Sequence, residues 1–347
     1  MEAIRIDLCS DTITRPTPEM RKFISSAEVG DEQKKEDPTV NRLVEMVCEL
    51  LDKEDALFLP SGTMCNQVAI RVHCSHGDEI VMDKTAHTRH YETGGPAALT
   101  GASTYTLEGE RGIFSADQFE AAIRPDNNHF PRTRMVLIEQ TSNMGGGSIW
   151  PLETIRGISQ TAVKHGIARH MDGARLLNAV IATGIPAREY AAHFDSIWID
   201  FSKGLGAPVG AAIAGSKEFI KEAWRWKHQF GGAMRQAGII AAGAVYALEH
   251  HVERLSEDHE NARILAKGLA DIDGIRVEPV ETNLLFFDVS GLGITGVEFN
   301  RMLMAEGVRV SPTPGTRVRA VTHLDVTRSQ VEEALDVIRG VADDIRT

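Results

Sequence analysis

From residue 55 to about 215 the chain alternates short apolar runs with longer amphipathic ones, and no other feature restricts its fold so much. The runs at 56–60, 79–82, 102–107, 134–141, 167–171 and 196–201 have strand length. Between them, 64–73, 115–123, 151–165 and 176–182 carry apolar residues at helical spacing. A strand, a helix and a second strand in that order make a βαβ unit. Repeated, the unit predicts an α/β fold with a mostly parallel sheet covered on both faces. All strands of such a sheet end at one edge, and ligands bind outside that edge.

The residues at those strand ends are chemically varied. Pro60-Ser-Gly-Thr-Met64 turns a strand into a helix. Its free N–H groups and positive dipole end suit a phosphate, although the same turn serves as an ordinary N-cap. His87 stands beyond the second run, with Arg89 and His90 beside it. Asp172 follows the run at 167–171, and Lys203 follows the run at 196–201 and leads into Gly204, Gly206 and Gly210. An amine with an apolar approach and small neighbours can shed its proton and attack a carbonyl. Amine, carboxylate, imidazole and phosphate turn are together what pyridoxal phosphate requires. Its aldehyde condenses with a lysine, its ring nitrogen needs an acid partner, its ring face takes an aromatic or imidazole, and its phosphate takes backbone N–H groups. The glycines at 145–147 and 204–210 form no G-x-G-x-x-G after the first strand, which argues against a nicotinamide dehydrogenase.

The net charge of −12, from 37 basic and 49 acidic residues without a basic run, argues against nucleic acid or an anionic membrane as partner. Cys9, Cys48, Cys65 and Cys74 match no zinc or redox spacing, which points to reduced thiols and the cytoplasm. His73-Cys74-Ser75-His76 lacks a second ligand pair, so no metal is expected. Residues 1–7 lack the apolar core of a signal peptide. At 347 residues the chain exceeds one ordinary domain. The pattern divides into an extended arm at 1–15, a large domain at 16–250 and a small α+β domain at 251–347.

Ordered matches along nearly the whole chain resemble the low-specificity L-threonine aldolases, fold-type-I pyridoxal phosphate enzymes of the β-eliminating lyase group. They include Asp7-Leu-Cys-Ser-Asp-Thr-Ile-Thr14, Glu36-Asp-Pro38, Pro60-Ser-Gly-Thr-Met64, Ala86-His87, His129-Phe-Pro-Arg-Thr133, Met171-Asp-Gly-Ala-Arg175, Ser202-Lys-Gly-Leu-Gly-Ala-Pro-Val-Gly210, Gly231-Gly-Ala-Met-Arg235 and Val321-Thr-His323. The resemblance implies that Lys203 carries the cofactor as a Schiff base, Asp172 pairs with the ring nitrogen and His87 stacks on the ring. It implies that Gly62 and Thr63 hold the phosphate and that Arg235 reaches it from a neighbouring subunit. Ser10, Arg175 and Arg319 would bind the α-carboxylate of an amino-acid substrate, because a guanidinium fork matches a carboxylate. The implied reaction cleaves the Cα–Cβ bond of threonine or a related β-hydroxy-α-amino acid, giving glycine and an aldehyde. His87, His129 or a water would take the hydroxyl proton. A homodimer or homotetramer with shared active sites is implied too.

The chain departs from the family pattern in places. Lys34 and Lys35 stand where Tyr-Gly is usual, and Gln140-Thr-Ser-Asn143 stands where Asn-Thr-His-Asn is usual. Should Arg89 and His90 face the substrate side chain, a polar or acidic β-substituent becomes acceptable. β-Elimination or transaldol transfer on such a substrate is then the alternative.

Overall fold

The computed structural model describes residues 4–346. The first three residues of the expected arm, within the stretch read for a signal peptide, and Thr347 lie outside them. Seven strands form the central sheet, in the order Asp55–Leu59, Ala211–Gly215, Ser196–Asp200, Ala168–Gly173, Thr133–Glu139, Glu79–Asp83, Ser103–Leu107. All neighbours are parallel except Ala211–Gly215, which runs antiparallel to both of its neighbours. That strand is Ala-Ala-Ile-Ala-Gly, too small-sided to declare itself in the apolar pattern, and it is buried throughout. It returns the chain from Lys203 alongside the strand that leads to it, which a parallel crossover of a dozen residues could not do in so short a link.

Local chemistry accounts for the helices that flank the sheet. Asp37 caps Pro38–Leu51 by accepting from the Val40 N–H, with proline at the first helical position. Ser61 does the same for Gly62–His73 through the Met64 N–H. Ser115 and Gln118 form a reciprocal capping box on Ala116–Ala122. In the C-terminal part, residues 251–254 form a turn and the helix Leu255–Ala270 follows it.

Two main cores result. The larger packs Leu43, Phe58, Val136, Ile138, Trp150, Ile197 and Phe201 between sheet and helices. The second gathers Leu265, Leu285, Phe287, Phe299, Val318 and Ile338 around a four-stranded antiparallel sheet. Ile6 and Leu8 belong to this second core, and Ile6–Asp7 pairs with Val308–Arg309. The Val321 N–H donates to the Leu8 carbonyl, which ties the arm to the C-terminal sheet as well, and the Thr14 hydroxyl donates to the Lys203 carbonyl, which sets residues 10–14 across the ends of the central strands. Among the described residues, no helix is long and apolar enough to cross a membrane.

Candidate active site

A cavity of about 650 Å³ opens at the strand ends, between the two cores. Ser10, Gly62, Thr63, His87, Asp172, Arg175, Lys203 and Arg319 all line it. Eight of the ten residues singled out in the sequence therefore converge. His129 and Arg235 do not line it.

Asp172 ends its strand fully buried. Its Oδ2 accepts from Asn66 Nδ2 at 2.8 Å and its Oδ1 from the Ala174 N–H at 3.1 Å. Burial raises its carboxyl above the ordinary value, although His87, Lys203 and Asn66 pull it down. Lys203 Nζ lies 3.0 Å from Asp200 Oδ2 and is 17% exposed. Asp200 is held in place by the N–H and hydroxyl of Ser202. Asp200 was not legible as functional, because an acid closing a strand is ordinary; its one-turn spacing to Lys203 was the available signal.

His87 sits at the start of a short helical turn, His87–His90, with its imidazole 35% exposed. Its Nδ1 meets Glu92 Oε1 at 3.0 Å. Burial draws the imidazole pKa down, but the Glu92 hydrogen bond and the charges of Asp172, Glu92 and Glu139 outweigh it, and the net direction is up. With Nδ1 tied to Glu92, Nε2 is the atom left for other partners. Beneath it, Glu139 accepts from the His87 and Asn143 N–H groups, while burial and the Asp172 charge push its carboxyl up to about 7. Glu92 and Glu139 had not stood out in the sequence, because neither belongs to a short motif.

The two cavity arginines differ in a way the sequence did not separate. Arg175 is clamped by Asp11, with Nε and Nη2 at 2.8 and 2.7 Å from the carboxylate. Burial alone would raise the Asp11 carboxyl, but Arg175 holds it well below the carboxylate range. Two of the three Arg175 nitrogens serve the arm, which leaves Nη1 for the substrate contact that the resemblance implies. Among the described residues, Arg319 has no carboxylate partner. Its Nη atoms donate to Asn143 Oδ1 and the Cys9 carbonyl at 3.1 and 3.2 Å, and its buried Nε has no partner among the described residues. A largely buried cation without a counter-ion is matched to an anion that arrives from outside.

Gly62 and Thr63 open the helix Gly62–His73, and an α-helix cannot satisfy its own first N–H groups. A Cβ on Gly62 would fall 2.2 Å from Trp198, so this glycine is required by the indole behind it as well as by any ligand in front. Cradle, amine, buried carboxylate and imidazole thus fit pyridoxal phosphate as a set.

The other expected residues lie outside this cavity. His129 lies on an exposed turn, where its N–H donates to Asn127 Oδ1, and a role as proton acceptor within its own subunit's cavity is not supported. Arg235 is 64% exposed and pairs with Asp31. Arg89 donates to Thr104 Oγ1 and His90 meets the Lys84 carbonyl, both outside the cavity. Tyr91 and Met144 line it instead, with the Tyr91 hydroxyl 3.5 Å from the sulfur. Lys34 and Lys35 are exposed on a turn, and Ser142 is turned into the protein.

Comparison with known proteins identifies the family. The model of the β-eliminating lyase family matches residues 7–291. The low-specificity L-threonine aldolase of Escherichia coli K12 is 40% identical over 329 residues, covering 94% of this chain and 96% of the relative. Low-specificity L-threonine aldolase 1 of Arabidopsis thaliana is 39% identical over 337 residues, covering 95% and 94%. The solved threonine aldolase of Leishmania major superposes with a TM-score of 0.84 at 19% identity, covering 97% of this chain and 99% of that one. The chain belongs to the β-eliminating lyase family, among the low-specificity L-threonine aldolases.

Proposed function

We propose that this protein is a pyridoxal phosphate-dependent aldolase that cleaves L-threonine and related β-hydroxy-α-amino acids to glycine and an aldehyde. The observation that carries the reading is Arg319, an unpaired guanidinium facing the cavity that Lys203, Asp172 and His87 share. Arg319 binds the substrate carboxylate, with Ser10 and Arg175 Nη1 beside it. Asp172 would face the cofactor's ring nitrogen and keep it protonated, Lys203 would hold the aldehyde carbon of the resting cofactor, and the Gly62 and Thr63 N–H groups would hold the phosphate. When bound, the cofactor supplies the electron sink for the pair left at Cα. His87 Nε2 accepts the β-hydroxyl proton, favoured by the carboxylates that raise its basicity.

Product analysis with L-threonine tests the reading: glycine and acetaldehyde support it, whereas 2-oxobutanoate and ammonia would replace it with elimination. The case for a polar or acidic β-substituent rested on Arg89 and His90, which lie outside the cavity, so Tyr91 and Met144 favour an aliphatic or aromatic one. The exposed Arg235 supports a homodimer or homotetramer in which it reaches a neighbour's phosphate site. The free state of all four cysteines supports a cytoplasmic setting.

A further inference from the structure

Behind Asp172 runs a chain of buried hydrogen bonds that no step above uses. Asn66 Nδ2 donates to Asp172 Oδ2 at 2.8 Å and to Glu92 Oε1 at 2.7 Å. Asn66 Oδ1 meets Trp198 Nε1 at 2.7 Å and His170 Nε2 at 3.1 Å. His170 Nδ1 meets Ser196 Oγ at 2.8 Å, and the same hydroxyl lies 2.8 Å from His73 Nε2.

One group fixes every proton in this chain. An indole N–H only donates, so the Asn66 oxygen faces Trp198 and the amide nitrogen faces the two carboxylates. His170 Nε2 must then carry a proton, since a bare nitrogen would oppose the carbonyl lone pair. Burial keeps His170 neutral, its pKa lowered to about 3, so its Nδ1 is bare and accepts from Ser196. The hydroxyl has no second proton, so His73 donates from Nε2. All four hydrogen-bonding sites of the Asn66 amide are filled, and the amide cannot turn without breaking four bonds.

We propose that Asn66, pinned by Trp198 and His170, is a positioning residue that holds Asp172 ionised and so sets the protonation of the cofactor's ring nitrogen. This rests on Asp172 being the ring-nitrogen partner. Without the Asn66 N–H, Asp172 keeps more of the shared proton and the ring nitrogen less. Losing one hydrogen bond to a charged group shifts that sharing by about tenfold.

Two measurements on the holoenzyme test it. In the wild-type protein, nitrogen NMR of the imidazoles should show His170 and His73 in the Nε2–H form; an Nδ1–H form at either overturns the proposal, and no variant has to fold. With pyridoxal phosphate labelled with ¹⁵N in the ring, Asn66→Ala should move the ring signal toward its unprotonated position while the cofactor stays bound. An unmoved signal at full occupancy overturns the proposal. Asp172→Asn separates the two levels. If it moves the signal and Asn66→Ala does not, the Asn66 role alone fails; if it leaves the signal in place, the Asp172 pairing fails and takes the Asn66 role with it.

Discussion

At the scale of single residues, function turns on which charges are already paired. Arg175 and Arg319 look alike in sequence, yet Asp11 neutralises one and, among the described residues, no carboxylate pairs with the other. Arg319→Ala should therefore lower kcat/KM for threonine by about 10²-fold, mostly through KM, because a hydrogen-bonded charge contact is worth roughly 1.5–3 kcal/mol. Steady-state kinetics check this; an unchanged KM would place the carboxylate elsewhere. Arg175→Ala should act differently, loosening the arm and lowering thermal stability, since it strands a buried Asp11.

At the scale of elements, the phosphate cradle depends on how closely one helix approaches one strand. The helix Gly62–His73 starts directly over the Trp198 ring of the strand Ser196–Asp200. Gly62→Ala should cost about 1–3 kcal/mol by overpacking against a rigid indole and weaken cofactor affinity as the helix start is displaced. Thermal denaturation of the apoprotein and titration with pyridoxal phosphate read the two effects separately. The helix and its turn were legible in sequence, but its fit to the indole was not, because Trp198 lies 136 positions further along. Trp198 serves two neighbours at once, Gly62 by its ring and Asn66 by its N–H.

At the scale of the whole molecule, pH acts through groups that folding buries. His73 is held neutral, its pKa pulled down to about 4 chiefly by burial. The unfolded chain protonates it below about pH 6.5, so its contribution is complete above that value and is lost as pH falls toward 4. Glu139, raised to about 7, works in the opposite sense between about pH 7 and its unfolded value near 4.3. The histidine is therefore best read by difference. Between pH 6.5 and 5, His73→Gln should lose less stability than the wild type, by about 1.4 kcal/mol per pH unit, in urea denaturation. Equal slopes would mean that His73 is charged in the fold. Subunit sharing has its own test: mixing Lys203→Ala with Arg235→Ala protein should restore activity in hybrid oligomers above the sum of the two alone. No gain would confine Arg235 to its own subunit.

The sequence alone determined the alternating elements, the parallel character of the sheet and the convergence of Lys203, Asp172, His87 and the Gly62–Thr63 turn. Each of these follows from local periodicity and from the rule that parallel strands share an edge. Only the tertiary structure decided that Arg175 is spent on Asp11 while Arg319 stays open, that His129 faces solvent, and that Asn66 stands behind Asp172. These are matters of which side chains meet across 100 residues or more, where charge pairing and packing choose among partners that local pattern cannot distinguish.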